Sequence, residues 1–259
     1  PLLYDKNWVQ NKIVSKLSSE FNIKLRNSFD ISYRILPKPH YLIRDSKTSL
    51  AEIKVLNVFI SQNNFFNKES TRINEVSIKE ANFFLLSNDL KTLYKNSENK
   101  FSEKKIKINN SNIFLKDNLN EVISIIKISN AFLLFDEKNL FNLFDLKGEI
   151  FNIPFKLKYQ NTINSQKKIK IKAPDLKLKI INEFFKKDGD LNNGMNNVFI
   201  QNSSINTKYS IKDQTVIFKS NGSRIYNSKI NYNGQLAINP FDLNLKIDLY
   251  NYKISNLFR

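Results

Sequence analysis

The chain begins with an apolar stripe at helical spacing. Its members recur every three or four residues and are Trp8, Val9, Ile13, Val14, Leu17 and Phe21. Asn7 stands at the N-cap position and Gln10 follows three residues later, which is a capping-box arrangement. The stripe predicts an amphipathic helix that packs Trp8, Ile13, Leu17 and Phe21 against a sheet. A helix lying on a membrane is the less favoured interpretation, because the polar face mixes lysines with a glutamate and serines.

From Asn22 onward the apolar positions alternate with polar ones, which predicts β-strands. Pro37 and Pro39 interrupt this stretch and predict an edge or a bend, since proline has no amide hydrogen to donate to a ladder. Two further helical segments are predicted, at residues 89–99 with Asp89 as the cap and at residues 181–187.

The sharpest alternation is that of Leu176, Leu178 and Ile180, with lysines at the two positions between them. Such a pattern is typical of an antiparallel sheet with one solvated face. The fold class is therefore predicted to be mainly β with a few helices (α+β). We expect an elongated, curved antiparallel sheet with an N-terminal amphipathic helix packed on it.

The expected domain organisation has one break. Residues 188–197 are rich in Gly, Asn and Asp and are predicted to be a linker or long loop. Residues 1–187 then form a β-rich N-terminal domain, and residues 198–259 continue its β repeats, cut short at the C-terminus. Because the first residue is Pro1 and not Met, we expect a signal or anchor segment upstream of this chain.

A strand pattern with a small polar kink recurs along the chain. Residues 76–83 resemble residues 106–113, and residues 198–205 and 225–230 repeat the theme. Copies about 25–30 residues apart are typical of stacked structural units. The repeat favours a sheet that extends strand by strand and disfavours a closed globule.

Composition and charge leave two kinds of partner open. The net charge is +17, which suggests nucleic acid or an anionic membrane surface. A composition rich in Lys, Asn, Ile and Phe also arises from AT-rich coding DNA, and the lysines are spread along the sequence. Nucleic acid is the less favoured partner because the 21 Phe outnumber the 10 Tyr and many Phe share the apolar face with Ile and Leu.

The chain offers few parts for catalysis or metal binding. His40 is the only histidine and there is no cysteine, so a histidine-based triad depends on one residue and zinc lacks its usual ligands. His40 is predicted to be structural. Asp188 begins a calcium-loop-like run, but its glycine, Gly194, comes one place late and its twelfth position is Phe199. We therefore predict a protein with no catalytic residues, no cofactor and no metal.

The segment from Tyr4 to Leu86 contains an ordered series of elements. They are the helix Trp8–Phe21, the run Ile31-Ser-Tyr33-Arg-Ile35-Leu-Pro37-Lys-Pro39, the strand pair Ala51–Ile60, the turn Phe65-Phe66, and the strand pair Ile73–Leu86. In order and spacing these elements resemble the N-terminal region of the AsmA family, and residues 106–113 and 148–150 extend the likeness. The glycine usual near the first strand of that family is replaced around Asn27 and Ser28.

The resemblance implies a non-enzymatic protein of the bacterial envelope. AsmA-like proteins are anchored in the inner membrane, project into the periplasm, and are similar to bridge-like lipid-transfer proteins. They are associated with outer-membrane biogenesis and phospholipid transport. The implied partners are phospholipid or the membrane, and other envelope proteins, with neither nucleic acid nor metal.

Physical reasoning agrees with a lipid groove. Two or three short helices cannot cover a dozen strands, so an apolar face must curl or bind a ligand. The alternative is a self-filled β scaffold for membrane-protein assembly. The groove-lining candidates are Phe132, Leu134, Phe151, Ile153, Phe155, Leu157, Leu176, Leu178 and Ile180.

Overall fold

The computed structural model describes residues 6–26, 29–61, 72–86, 99–162, 166–186, 192–212, 215–237 and 241–251. One helix, α1 (Lys6–Phe21), precedes the strands, and most of the other described residues are in strands. The prediction of a mainly β fold with an N-terminal helix is confirmed. The chain divides into two compact units, Pro1–Ile153 and Pro154–Arg259, which are described separately.

The first unit carries seven of the described strands, and each pairs with the next along the chain. All of these pairs are antiparallel except β4–β5, which is parallel. The β4–β5 pair is thus an exception within the expected antiparallel sheet. The strands are β1 (Asp30–Arg34), β2 (His40–Lys47), β3 (Ala51–Ile60), β4 (Ile73–Leu86), β5 (Lys105–Lys116), β6 (Val122–Asp136) and β7 (Phe141–Ile150).

A parallel pair needs a crossover connection in place of a tight turn. Residues 87–98 of that connection lie outside the described residues, and so does the predicted helix at 89–99 except for Asn99, which is a bend. The end of the connection is fixed by Asn142, a fully buried residue of β7. Its side chain accepts from Phe101 N at 2.8 Å and donates to Asn99 O at 2.7 Å.

The core of the first unit combines the helix with one face of the strands. Ile13 and Leu17 of α1 are 1% and 0% exposed, and Phe21 is also buried, as the stripe predicted. Trp8 is 46% exposed, so its predicted packing role is wrong. It lies in the first turn of α1, where Lys12 Nζ sits 4.5 Å from its ring centroid. The strand side of this core includes Ile43, Leu56, Val58, Val76, Ile78, Ile106 and Ala131.

The repeated strand pattern is a structural repeat in the first unit. Residues 76–79 pair in parallel with residues 106–109, and residues 82–86 with residues 112–116, always at an offset of thirty. Glu80 and Asn110, at equivalent positions, have left-handed φ values of 52° and 47°. Each is followed by a small buried residue, Ala81 or Ser111. The kink that the sequence predicted is therefore a left-handed backbone position shared by both strands.

The other two copies of the pattern have a different structure. In residues 198–205 the polar segment is the tight turn at Gln201, and in residues 225–230 it is the turn at Tyr226. Both turn residues have positive φ, 49° and 50°. A left-handed residue thus bends a continuous strand in the first unit and reverses the chain in the second.

The second unit is built from antiparallel strands. β16 pairs with β15, and β14 bridges β12 and β15. The strands are β8 (Ile153–Thr162), β9 (Gln166–Ala173), β10 (Leu178–Lys186), β11 (Asn192–Ile200), β12 (Ser203–Lys212), β13 (Thr215–Ser220), β14 (Ser223–Ile225), β15 (Ser228–Ala237) and β16 (Asp242–Tyr250).

Two expectations for this unit are corrected. Residues 181–186, expected as a short helix, belong to β10, where Ile181 pairs with Lys170 and Asn197. Residues 192–197, expected as a linker, belong to β11, and residues 187–191 lie outside the described part.

Among the described residues, no helix has both the length and the apolar character needed to cross a membrane.

Candidate functional site

The strand register divides the second unit into two chemically different faces. Leu157 on β8 is opposite Ile171 on β9, which is opposite Ile180 on β10. The row continues through Val198 on β11 to Ile205 on β12. Side chains alternate between the two faces of a strand, so these five residues share one face. We call the face that carries this row the apolar face.

The apolar face extends across the remaining strands. Most of its side chains are half-buried, but on β16 Leu243, Leu245, Ile247 and Leu249 are 44–51% exposed. Fully buried positions, such as Ala173 and Ile230, are few. Its further members include Phe155, Ile169, Leu178, Ile200, Ile211, Val216, Phe218 and Leu236.

The described residues of the second unit form no second layer over this face. Apart from a 3₁₀ turn at Pro174–Leu176, the described residues from Pro154 onward are strands and the turns between them. A sheet with one apolar face must cover it or expose it to a ligand. The described part of the second unit does not cover it.

Two pairs of polar side chains on the apolar face bond to one another, whereas Asn196 Oδ1 on β11 is buried without a hydrogen-bond partner. Tyr209 Oη donates to Asn182 Oδ1 at 2.9 Å, reaching across β11 above Gly194. The hydroxyls of Thr207 and Tyr232 lie 2.6 Å apart. These contacts satisfy groups that would otherwise oppose contact with hydrocarbon.

Five of the predicted groove residues lie on β8 and β10. Phe155, Leu157, Leu178 and Ile180 occupy the apolar face and are half-buried. Ile153 precedes them at alternate spacing on β8 and is half-buried too.

Four other candidates lie elsewhere. Phe132 and Leu134 belong to β6 of the first unit, on the face opposite the buried Ala131 and Phe135, and Lys105 Nζ lies 4.8 Å from the Phe132 ring. Phe151 is 72% exposed in the turn after β7, with a φ of 50°. Leu176 is 42% exposed because Pro174 begins a 3₁₀ turn that ends in the left-handed Lys177.

Sequence reasoning missed the part of the apolar face on β11–β13. The signal was present as alternation in Ile205, Thr207, Tyr209 and Ile211, but polar members interrupt the apolar run. Only the register shows that Ile205 continues the row of Ile180.

The opposite side of β8–β10 is basic. It carries Lys156 and Lys158 on β8, Lys168, Lys170 and Lys172 on β9, and Lys179 on β10, and we call it the basic face. Lys168 Nζ forms an ion pair with Glu183 at 2.6 Å.

His40 lies on β2 of the first unit. It is 7% exposed, its Nδ1 lies 2.7 Å from Lys38 O, and its ring packs 5.2 Å from that of Phe59. Within the described residues, no three carboxylate or imidazole groups come together in an arrangement suited to a metal ion.

No protein-family model and no curated protein sequence matches the chain.

Proposed function

We propose that this protein is a non-enzymatic, AsmA-like lipid-handling protein whose apolar face in the second unit receives lipid acyl chains. The observation that carries the proposal is the row Leu157–Ile171–Ile180–Val198–Ile205. It lies on a face that the described residues of its own unit do not cover with a second layer. An acyl chain is the ligand chemistry that such a surface favours.

The energetics of burial support an acyl ligand. Removing a methylene from water contributes about 0.8 kcal/mol, so a chain of about 15 methylenes contributes about 12 kcal/mol before binding costs. Adjacent strands lie about 4.8 Å apart, so an extended acyl chain is long enough to cross several strands of this sheet. The exposed side chains of β16 extend the apolar surface to the end of the described strands.

The proposed setting is the bacterial envelope. The chain would lie in the periplasm, held at the inner membrane by a segment outside this sequence, and contribute to outer-membrane biogenesis or phospholipid transport. This part of the proposal rests on the resemblance of residues 4–86 to the AsmA family.

A self-filled scaffold is the competing function, and one observation favours it. Most side chains of the apolar face are already half-buried without a ligand. A scaffold needs no acyl chain, so lipid content separates the two functions.

The test is lipid binding by a matched pair of variants. Native mass spectrometry of protein purified without detergent should show co-purifying phospholipid, and a fluorescent fatty acid should bind. Ile180 on the apolar face and Ile181 on the opposite face are adjacent, half-buried and identical in type, so Ile180→Asn and Ile181→Asn form the pair. We expect Ile180→Asn to weaken fatty-acid binding about tenfold, because it removes one aliphatic side chain from the binding surface. Ile181→Asn should leave fatty-acid binding unchanged. The proposal would be refuted if the purified protein contained no phospholipid and the two variants bound the fluorescent fatty acid with the same affinity.

A further inference from the structure

The lysines of the second unit are concentrated on three strands. Residues 154–186 contain nine lysines against two carboxylates, Asp175 and Glu183. The register places Lys156, Lys172 and Lys179 opposite one another across β8, β9 and β10, and Lys158 opposite Lys170. Six of these nine lysines therefore lie on the basic face.

The positive charges repel one another in the folded protein. Like charges directly opposite on neighbouring strands are destabilising. The pKa of Lys170 is lowered, chiefly by Lys172, then by partial desolvation and the other nearby lysines. Among the described residues Lys168 has a carboxylate partner, whereas Lys156, Lys158, Lys170 and Lys172 form no ion pair. In the described part of the second unit, these four lysines of the basic face therefore have no carboxylate partner.

We propose that the basic face docks the protein on a bilayer surface rich in anionic phospholipids. The proposal deepens the proposed function and rests on it, because it names the membrane surface from which a lipid-handling sheet would work. The lipid phosphates supply the missing counter-charge, and the acyl-binding side of the same strands stays free.

Two features favour a bilayer over a single-stranded nucleic acid. The two exposed rings on this side of β10 and β11 are Phe185 and Phe199, and the Lys179 ammonium already lies 5.1 Å from the centroid of the Phe199 ring. Base stacking needs free aromatic faces among the cations. The second feature is the absence of arginine from β8–β10, since the only arginines from residue 154 onward are Arg224 and Arg259. A guanidinium group binds phosphate bidentately, whereas a lysine ammonium acts as a point charge.

The expected strength follows from the number of lysines. Each lysine near an anionic bilayer strengthens partitioning roughly fivefold, an effect that falls off with the Debye length. Removing three lysines should therefore weaken binding on the order of 100-fold at low ionic strength.

The experiment is vesicle co-sedimentation with three proteins. They are the wild type, a patch variant with Lys158→Gln, Lys170→Gln and Lys172→Gln, and a control variant with Lys24→Gln, Lys79→Gln and Lys147→Gln. The control residues are exposed lysines of the first unit and change the net charge equally. Vesicles are phosphatidylcholine alone or mixed equally with phosphatidylglycerol. We expect the wild type to bind only the anionic vesicles, the patch variant to lose that binding, and the control to retain most of it.

Three results would overturn the proposal. These are equal loss in both variants, equal binding to neutral vesicles, or tight patch-dependent binding of a mixed-sequence single-stranded oligonucleotide without vesicle binding. Fatty-acid binding is measured on the same proteins and should be unchanged in the patch variant. If vesicle binding does not depend on the patch lysines while fatty-acid binding is intact, only the docking surface is refuted. The reverse result refutes the acyl-binding function.

Discussion

The backbone amide of Ala81 donates a 3.0 Å hydrogen bond to the hydroxyl of Ser111 on the adjacent parallel strand. Ser111 Oγ in turn donates to Asn109 O at 2.8 Å. The β4–β5 ladder has no paired residues between Lys79 and Asn82, where both strands adopt the left-handed kink. The serine side chain thus replaces a main-chain partner at the point where the repeated strands bend.

Replacing Ser111 with Ala should destabilise the first unit. The substitution leaves the buried amide of Ala81 without its acceptor, which costs about 1–3 kcal/mol. Urea unfolding followed by circular dichroism measures the loss. Ser129→Ala is the control, because the Ser129 hydroxyl also donates to a backbone oxygen, Lys147 O at 2.9 Å, but is exposed. The control should change the free energy of unfolding by less than about 0.5 kcal/mol, and equal effects would contradict the role assigned to Ser111.

The Glu20 carboxylate of α1 should stabilise the folded first unit at neutral pH and lose this contribution in acid. Partial burial raises the pKa of Glu20, but hydrogen bonds and ion pairs with Lys104 and Lys16 outweigh it and hold the pKa below its usual 4.5. A carboxylate with a lowered folded pKa stabilises the protein above the unfolded pKa, and that contribution is lost as the pH falls through the folded pKa. Because the side chains are partly exposed, the effect should be under about 1 kcal/mol.

Glu20→Gln tests this contribution. The wild type should lose more stability than the variant as the pH falls below 4.5, measured by urea unfolding at a series of pH values. Glu52→Gln removes a more exposed carboxylate, paired with Lys47 at 2.7 Å, and serves as the control. A steeper acid loss in Glu20→Gln than in the wild type would contradict the assignment.

The sequence was sufficient to predict the elements whose signal is local. The α1 stripe predicted the burial of Ile13, Leu17 and Phe21, and the thirty-residue echo predicted equivalent positions in β4 and β5. Their parallel pairing was not predicted, because it depends on a crossover connection that carries no strand signal. Alternation is undisturbed at Leu157 and Ile180, which share the apolar face, and their role in a groove stays a prediction.

The errors have physical causes that lie outside local alternation. Residues 181–186 contain apolar residues at 181, 184 and 185, a spacing that also suits a helix, and pairing with β9 and β11 makes the segment a strand. Leu176 continues the apolar alternation, yet Pro174 begins a turn that exposes it. Alternation with lysine predicted a solvated face at residues 176–180, but the extent of the basic face depends on the register of β8, β9 and β10.

Removing a charge from the basic face should stabilise the second unit slightly. The lowered pKa of Lys170 means that the folded state disfavours its protonated form, chiefly because of Lys172. Stability should therefore rise with pH in the window just below the usual lysine value of 10.5. Lys170→Gln should raise the urea midpoint slightly at neutral pH and reduce this rise. Added salt should stabilise the wild type more than the variant. A lower midpoint in the variant would contradict the repulsion.

Gly234→Ala should loosen β16, the strand that carries the most exposed part of the apolar face. A Cβ at Gly234 would overlap the backbone oxygen of Asn244 on β16 and approach Phe218 Cζ to 2.9 Å. Because the obstacle is main chain, β16 must shift, and such overpacking costs about 1–3 kcal/mol. Hydrogen exchange of residues 242–250 should accelerate, and fatty-acid binding should weaken with it. Gln235→Ala, at the exposed neighbouring position on the other face, should change the free energy of unfolding by less than about 0.5 kcal/mol. Unaltered exchange in Gly234→Ala would show that β16 is not held against β15 by this close approach.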